Sequence, residues 1–327
     1  MKTHIRYSLA TALAGCACLG LVPTVSAQSF PAKPVRVVIH FPPGGPVDLV
    51  SRALSQRFAE TWKQSVIVEN RPGAGGVLGF ETVLRAPADG HTLLFATGGS
   101  LALAPALQKL PYDVFKDLAP ISLVVINPQI LVVHPSLPVK TVADLIRLAR
   151  SKPGQIDYAS VGPGSPNHMG MELLKSMAKI DMVHIPYKGT APAMADVMSG
   201  QVSLLFNSMP AVLSQIAAGR LRAIAVGSAR RSPAAPDIPT VAETPGLEGF
   251  QYTTWYALLA HAATPKDVIS KVNADTVRIL NDPEMVKFLS GQGAEPSPTT
   301  PEGLAKHMRM EYEGWRKVIR EAGIKLQ

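Results

Sequence analysis

Beyond its first 27 residues the chain has no cysteine; the two it holds, Cys16 and Cys18, both fall inside that segment. The rest of the protein therefore makes no disulfide, offers no thiolate to a metal and has no cysteine nucleophile. Aromatic residues are scarce, at 6% of the chain, and none interleave with the basic residues. The formal charge of +8 is spread thinly, and Arg230-Arg231 is the densest pair. That distribution lacks the basic face of a nucleic-acid binder, and no nucleic-acid partner is expected. No apolar run after the first 27 residues is long enough to cross a membrane. The seven histidines beyond that segment show no helix-spaced pair. Neither a metal site nor any other cofactor is expected.

The N-terminus has the anatomy of an export signal. Lys2 and Arg6 precede an apolar stretch, Tyr7 to Val22, and Val25-Ser26-Ala27 ends it with small residues. Cleavage after Ala27 places the mature chain of about 300 residues outside the cytoplasm, in the periplasm, with a length that suits two domains. The alternative is lipid anchoring: Leu13-Ala14-Gly15-Cys16 also matches a lipoprotein box, with Cys16 as the acceptor.

Along the mature chain, short β-branched runs alternate with helix-patterned segments. Strands are predicted at 35–41, 66–69, 92–96, 121–126, 130–134, 156–160, 182–185, 202–206, 222–226 and 252–259. Val47, Val50, Leu54 and Phe58 form one helical face; Thr141 with Asp144 starts another helix. Thr264-Pro265, Asp282-Pro283 and Thr300-Pro301 each read as an N-cap followed by proline at the first helical position. This is an α/β pattern with largely parallel sheets. Asn127-Pro128 divides two apolar runs and marks a crossing between domains; the Pro/Gly-rich stretch from Pro233 to Gly249 marks the return.

Two strand-to-helix junctions stand out, Phe41-Pro42-Pro43-Gly44-Gly45-Pro46-Val47-Asp48 and Ser160-Val161-Gly162-Pro163-Gly164-Ser165-Pro166-Asn167-His168. At such junctions backbone N–H groups and the positive end of a helix dipole face outward. Two of them, far apart in sequence, suggest two halves offering neutral donors to one small anion, which is the build of a receptor more than of a catalyst. Neither junction contains Arg or Lys, so recognition would rest on amides, hydroxyls and water.

These residues, in this order, resemble the tripartite tricarboxylate transporter receptor family, also called Bug proteins. The resemblance runs through Glu69-Asn70-Arg71-Pro72-Gly73-Ala74-Gly75-Gly76, Leu110-Pro111-Tyr112-Asp113, His184-Ile185-Pro186-Tyr187-Lys188-Gly189, Asp237-Ile238-Pro239-Thr240-Val241-Ala242-Glu243 and Trp255. It implies a type II periplasmic-binding-protein (Venus flytrap) fold of two α/β lobes joined by crossover strands. Lobe 1 would be residues 28–125 plus 250–327, and lobe 2 residues 126–249. Carried over, the first-lobe ligand contacts are Phe41, Pro43, Gly44 and Asp48, with Thr97 and Ser100 from the Thr97-Gly98-Gly99-Ser100 loop. Those of the second lobe are Ser160, Gly164, Ser165 and His168, with Tyr187 and Asn207 lining the cleft. Implied partners are a small organic acid or amino acid and the membrane subunits of a tripartite transporter; a monomer is expected.

Several residues have competing local roles. Asp48 either complements the helix dipole or meets an amino or hydroxyl group of a ligand. Ser160 and Ser165 either bind ligand or close their own turn. His168 caps, lines the cleft or sits in its wall. Two positions depart from the family pattern: Val77 stands where Asn is usual, and His40 where proline is common, altering the wall of the site. A solute sensor signalling to a membrane kinase would use the same binding chemistry. An exported hydrolase or nucleotide enzyme fits less well. Gly73-Ala74-Gly75-Gly76-Val77-Leu78-Gly79 has the wrong glycine spacing for a dinucleotide loop, and Gly98-Gly99-Ser100-Leu101-Ala102 lacks the last glycine of a nucleophile elbow.

Overall fold

The computed structural model describes residues 30–324. The export signal and the lipid-acceptor alternative at Cys16 lie outside the described residues. The strands are β1 (Val35–Ile39), β2 (Val66–Asn70), β3 (Thr92–Thr97), β4 (Leu118–Val133), β5 (Asp157–Ser160), β6 (Val183–Pro186), β7 (Leu204–Ser208), β8 (Arg222–Val226), β9 (Thr253–His261) and β10 (Glu295–Pro296). The helices are α1 (Pro46–Trp62), α2 (Val77–Leu84), α3 (Ala104–Leu107), α4 (Val142–Ser151), α5 (Pro166–Ala178), α6 (Thr190–Ser199), α7 (Met209–Ala217), α8 (Lys266–Leu280), α9 (Pro283–Gly291) and α10 (Pro301–Ala322).

The strands run in the order β2-β1-β3-β9-β4-β7-β5-β6, with β8 and β10 also on β4. Pairing is parallel among β2, β1 and β3 and among β7, β5 and β6, while β9 and β4 are antiparallel to their neighbours. The sheet is therefore mixed, not largely parallel. Its antiparallel centre is where the chain crosses from one half to the other. The two predicted runs 121–126 and 130–134 are one strand: Asn127 and Pro128 stay paired with Thr254 and Thr253 on β9, and from Gln129 onward β4 pairs with β7. Proline's fixed φ suits extended chain, so Pro128 marks the change of partner without ending the strand.

Period-two alternation sorts the core. In the first half Val37, Ile39, Leu93 and Phe95 face α1, where Val50, Leu54 and Phe58 meet them. Val38, Leu94 and Ala96 point the other way, toward Phe80 of α2 and Leu304 of α10. In the second half Ile130 and Val132 pack with Val197 and Val212, and Leu131 and Val133 with Leu145 and Leu174. Each such fully buried side chain contributes about 2 kcal/mol of transfer free energy. That is how a disulfide-free chain of this size holds its shape.

Capping follows the sequence at three of four places. Thr141 and Asp144 form a reciprocal capping box, Asp282 accepts from Glu284 and Met285, and Thr300 accepts from Gly303. At the fourth, α8 starts one residue later than expected. Pro265 itself takes the cap position, with ψ of 141°, and the Thr264 hydroxyl is buried with no partner.

Candidate functional site

Both junctions are built to one local plan, Gly-x-Pro-x-(Asp or His): Gly44-Gly45-Pro46-Val47-Asp48 and Gly164-Ser165-Pro166-Asn167-His168. In each, the proline is the first residue of a helix, α1 or α5. In each, the glycine takes positive φ, +86° at Gly44 and +72° at Gly164, where a side chain would be strained. The glycine N–H then turns back on the side chain four residues later. Gly44 donates to Asp48 Oδ2 at 2.9 Å and Gly164 to His168 Nδ1 at 3.0 Å. These two N–H groups are thus engaged inside their own loops, and the expectation that they face outward as free donors is corrected.

Asp48 is 3% exposed. Besides Gly44 it accepts from Arg52 Nε at 2.9 Å and, through Oδ1, from Asn70 Nδ2 at 2.9 Å. Asn70 also donates to the Phe41 carbonyl, so the carboxylate ties the loop, the helix and the end of β2 together. Burial opposes its charge, but the bonds from Arg52, Gly44 and Asn70 outweigh that and hold its pKa at about 2. Of its two open roles, the structure fills the local one. The N-cap of α1, Gly45, has no side chain to cover the first-turn N–H groups. The ionised Asp48 carboxylate stands in the first turn, at the positive end of this helix.

The second junction is more self-contained. Ser160 is 1% exposed, and its hydroxyl is shared among Gly162 N–H, Gly162 carbonyl and His184 Nε2, the last at 2.6 Å. Ser165 donates to the Gly162 carbonyl and accepts from His168 N–H as the cap of α5. Because Gly164 donates to His168 Nδ1, the proton of the neutral ring sits on Nε2. His168 stacks on His184 at 4.0 Å. Burial lowers the pKa of both rings, that of His184 to about 4, helped there by His168. Both are neutral near pH 7.

A third loop completes the opening. After β3, Ser100 Oγ donates to the Thr97 carbonyl at 2.8 Å. Gly98 lies against the Trp255 indole, where an added Cβ would come within 2.4 Å of Cε2. A Cβ on Gly99 would lie 3.9 Å from Pro166 Cγ, so this loop of the first half meets the first turn of α5 in the second. Behind it, Glu311 of α10 accepts from the Trp315 indole at 3.0 Å. Burial pushes its pKa up to about 7, against the bonds from Trp315 and Trp255.

The three loops border one crevice of about 640 Å³. Phe41, Thr97, Ser100 and Gly164 are on its walls, as the sequence suggests. Asp48, Ser160 and His168 are buried beneath the loops and shape them from within. Pro43 and Gly44 are exposed on the rim of the first loop, and Ser165 sits between the wall residues Gly164 and Pro166. Tyr187 and Asn207 are off the wall: Tyr187 donates its hydroxyl to Asp196, and Asn207 accepts from Ser208 N–H. The sequence reading missed the turn Gly73 to Gly76 and the apolar Leu103 and Leu107, which close the far end. The signal for the turn was available in its crowded glycines. Among the described residues, no side chain lining the crevice carries a formal charge. Among the described residues no group of His, Cys, Asp and Glu is placed to hold a metal ion, and no helix is long and apolar enough to cross a membrane.

A two-part α/β fold with a crevice where the parts meet defines a solute-binding protein of the periplasmic-binding type. The sequence matches the tripartite tricarboxylate transporter family receptor over residues 50–324, and the chain belongs to that family, whose members are periplasmic solute-binding receptors. It is 37% identical to BugT of Bordetella pertussis over 315 residues, covering 95% of this chain and 96% of BugT. Among solved structures it is similar to an R. palustris protein with adipate, at 33% identity and a TM-score of 0.75, covering 90% of this chain and 99% of that one. It is also similar to MatC of Rhodopseudomonas palustris with bound malate, at 32% identity and 0.71, covering 89% and 100%.

Proposed function

We propose that this receptor captures a small carboxylate-bearing solute in the crevice and presents it to the membrane subunits of a tripartite tricarboxylate-type transporter. The observation that carries the reading is the meeting of the three loops, from both halves of the sheet, at one crevice without ionic side chains. The N-terminus of α1, which no side chain caps, would offer backbone amide donors to an anionic head group. The first-loop residues Phe41 to Gly45, Thr97 and Ser100 would contact the solute from one side and the backbone of Gly164 to Pro166 from the other. Adipate and malate in the two similar structures support a carboxylate.

Binding would work by population shift. Contacts from both lobes, residues 28–125 with 250–327 and residues 126–249, exist together only in the closed form, so the solute favours closure. No bond of the solute is broken, because no nucleophile or general base faces the crevice with a partner to activate it. A thermal-shift screen of ligand-stripped protein against mono-, di- and tricarboxylates and their amides tests this. Stabilisation by one or more acids and not by the matching amides is expected. Equal stabilisation by acid and amide overturns the reading.

A further inference from the structure

His40 joins β1 to the first junction loop and lines the crevice. It is 5% exposed, and both of its ring nitrogens are buried with no hydrogen-bond partner. The ring packs against Phe41 at 4.3 Å and Phe80 at 5.3 Å between centroids. Burial lowers its pKa to about 4, so it is neutral in use, with one nitrogen a donor and the other an acceptor. What covers the ring edge is backbone. A Cβ on Gly76 would come within 2.8 Å of His40 Cδ2 and 3.6 Å of Nε2. Gly76 ends a turn, Gly73 to Gly76, in which all four residues have positive φ and which is itself part of the crevice wall. An imidazole buried with neither nitrogen paired is unfavourable. A solute group, admitted by a small shift of the side-chain-poor turn, would satisfy it in the occupied state alone, and only such a differential contact favours that state.

Resting on the carboxylate-receptor reading above, we propose that His40 is a specificity-determining residue, and that the solute carries beyond its carboxylate an uncharged hydrogen-bonding group, a hydroxyl in its simplest form, that pairs with the imidazole. A buried, neutral imidazole pairs with an uncharged group at less desolvation cost than with a second carboxylate, and an ammonium would find no free carboxylate, since Asp48 is held by Gly44, Arg52 and Asn70.

The test is calorimetric titration of the ligand-stripped mature protein with two matched series: hexanoate, omega-hydroxyhexanoate and adipate; benzoate, para-hydroxybenzoate and terephthalate. In at least one series the hydroxy acid binds about tenfold or more tightly than both its parent acid and its diacid. His40→Phe, which keeps the ring and removes both nitrogens, abolishes that preference, bringing the ratio of hydroxy-acid to parent-acid affinity to within about threefold of one. His40→Asn restores part of the preference. A merely structural role for His40 would shift all three affinities together. Preference for the diacid, binding without preference, or a preference that survives His40→Phe each overturns this inference and leaves the carboxylate reading standing. If no acid of either series binds, the carboxylate reading falls and this inference with it.

Discussion

Asp48→Asn tests whether the first junction is held from within. The native carboxylate presents two acceptor ends to three donors: Gly44 N–H and Arg52 at Oδ2, Asn70 at Oδ1. An asparagine has one acceptor end, so its NH₂ must confront either Asn70 or Gly44, donor against donor, and the charge opposite Arg52 is gone. Losing a charge-assisted bond and leaving one buried donor unpaired costs about 2–4 kcal/mol. A second route gives a similar size. Holding the carboxyl at about 2 when its ordinary value is 3.8 corresponds to at most about 2.5 kcal/mol of stability, less what solvent screens. Because the folded-state pKa is depressed, that contribution is full above the unfolded value and is lost as pH falls from about 4 to 2. Urea unfolding of parent and variant should therefore differ by about 2–3 kcal/mol at pH 7, and the gap should close as pH falls through that window. A variant within about 0.5 kcal/mol of the parent at pH 7 refutes the reasoning. So does a gap that stays constant down to acid pH.

Glu311→Gln should act with the opposite sign. The folded-state carboxyl is raised above its ordinary 4.5 to about 7, so its contribution is full below 4.5 and is lost as pH rises to 7. The parent should lose about 2–3 kcal/mol relative to the variant across that window, and parallel pH–stability curves would refute this. Gly98→Ala would drive a methyl to within 2.4 Å of Trp255, a ring 1% exposed. A loss of about 2–3 kcal/mol in denaturant unfolding is expected, and an unchanged midpoint would show that the indole yields. Ser165→Ala removes the cap of α5 and should cost about 1 kcal/mol. Its effect on solute affinity should stay within about twofold, and a tenfold loss would mean that the hydroxyl reaches the solute.

The strand–helix alternation was legible because burial imposes it. Val47, Val50, Leu54 and Phe58 can all be buried only on a helix, and Val37 and Ile39 face α1 while Val38 faces away only on a strand. What was not legible is partnership. Nothing local in Ile121 to Val133 says that β4 pairs with β9 through Pro128 and with β7 after it, since pairing is decided by chain passing more than a hundred residues away for β9 and more than seventy for β7. The same limit explains the antiparallel centre of the sheet. The late start of α8 has a smaller cause. Thr264-Pro265 carries both signals of a helix start, but Pro265 adopts extended ψ and becomes the cap itself.

At the site, glycine and proline announced where the loops were, and chemistry alone did not say what their donors were for. A free N–H at a helix start is a ligand donor only if no side chain within reach accepts it first. At Gly44 and Gly164 one does, and in both cases it stands four residues on. That offset brings an acceptor on the first helical turn back over the preceding loop, so Asp48 and His168, opposite in charge preference, do the same work. The starts of α1 and α5 then diverge on a single atom. Ser165 has a hydroxyl that caps α5, whereas Gly45, at the equivalent place, has nothing to cap α1. On the proposed reading, that difference leaves the first-turn amides of α1 without a side-chain cap where those of α5 are partly spent. On that reading the site is set less by which side chains touch the solute than by which backbone donors the protein leaves unused.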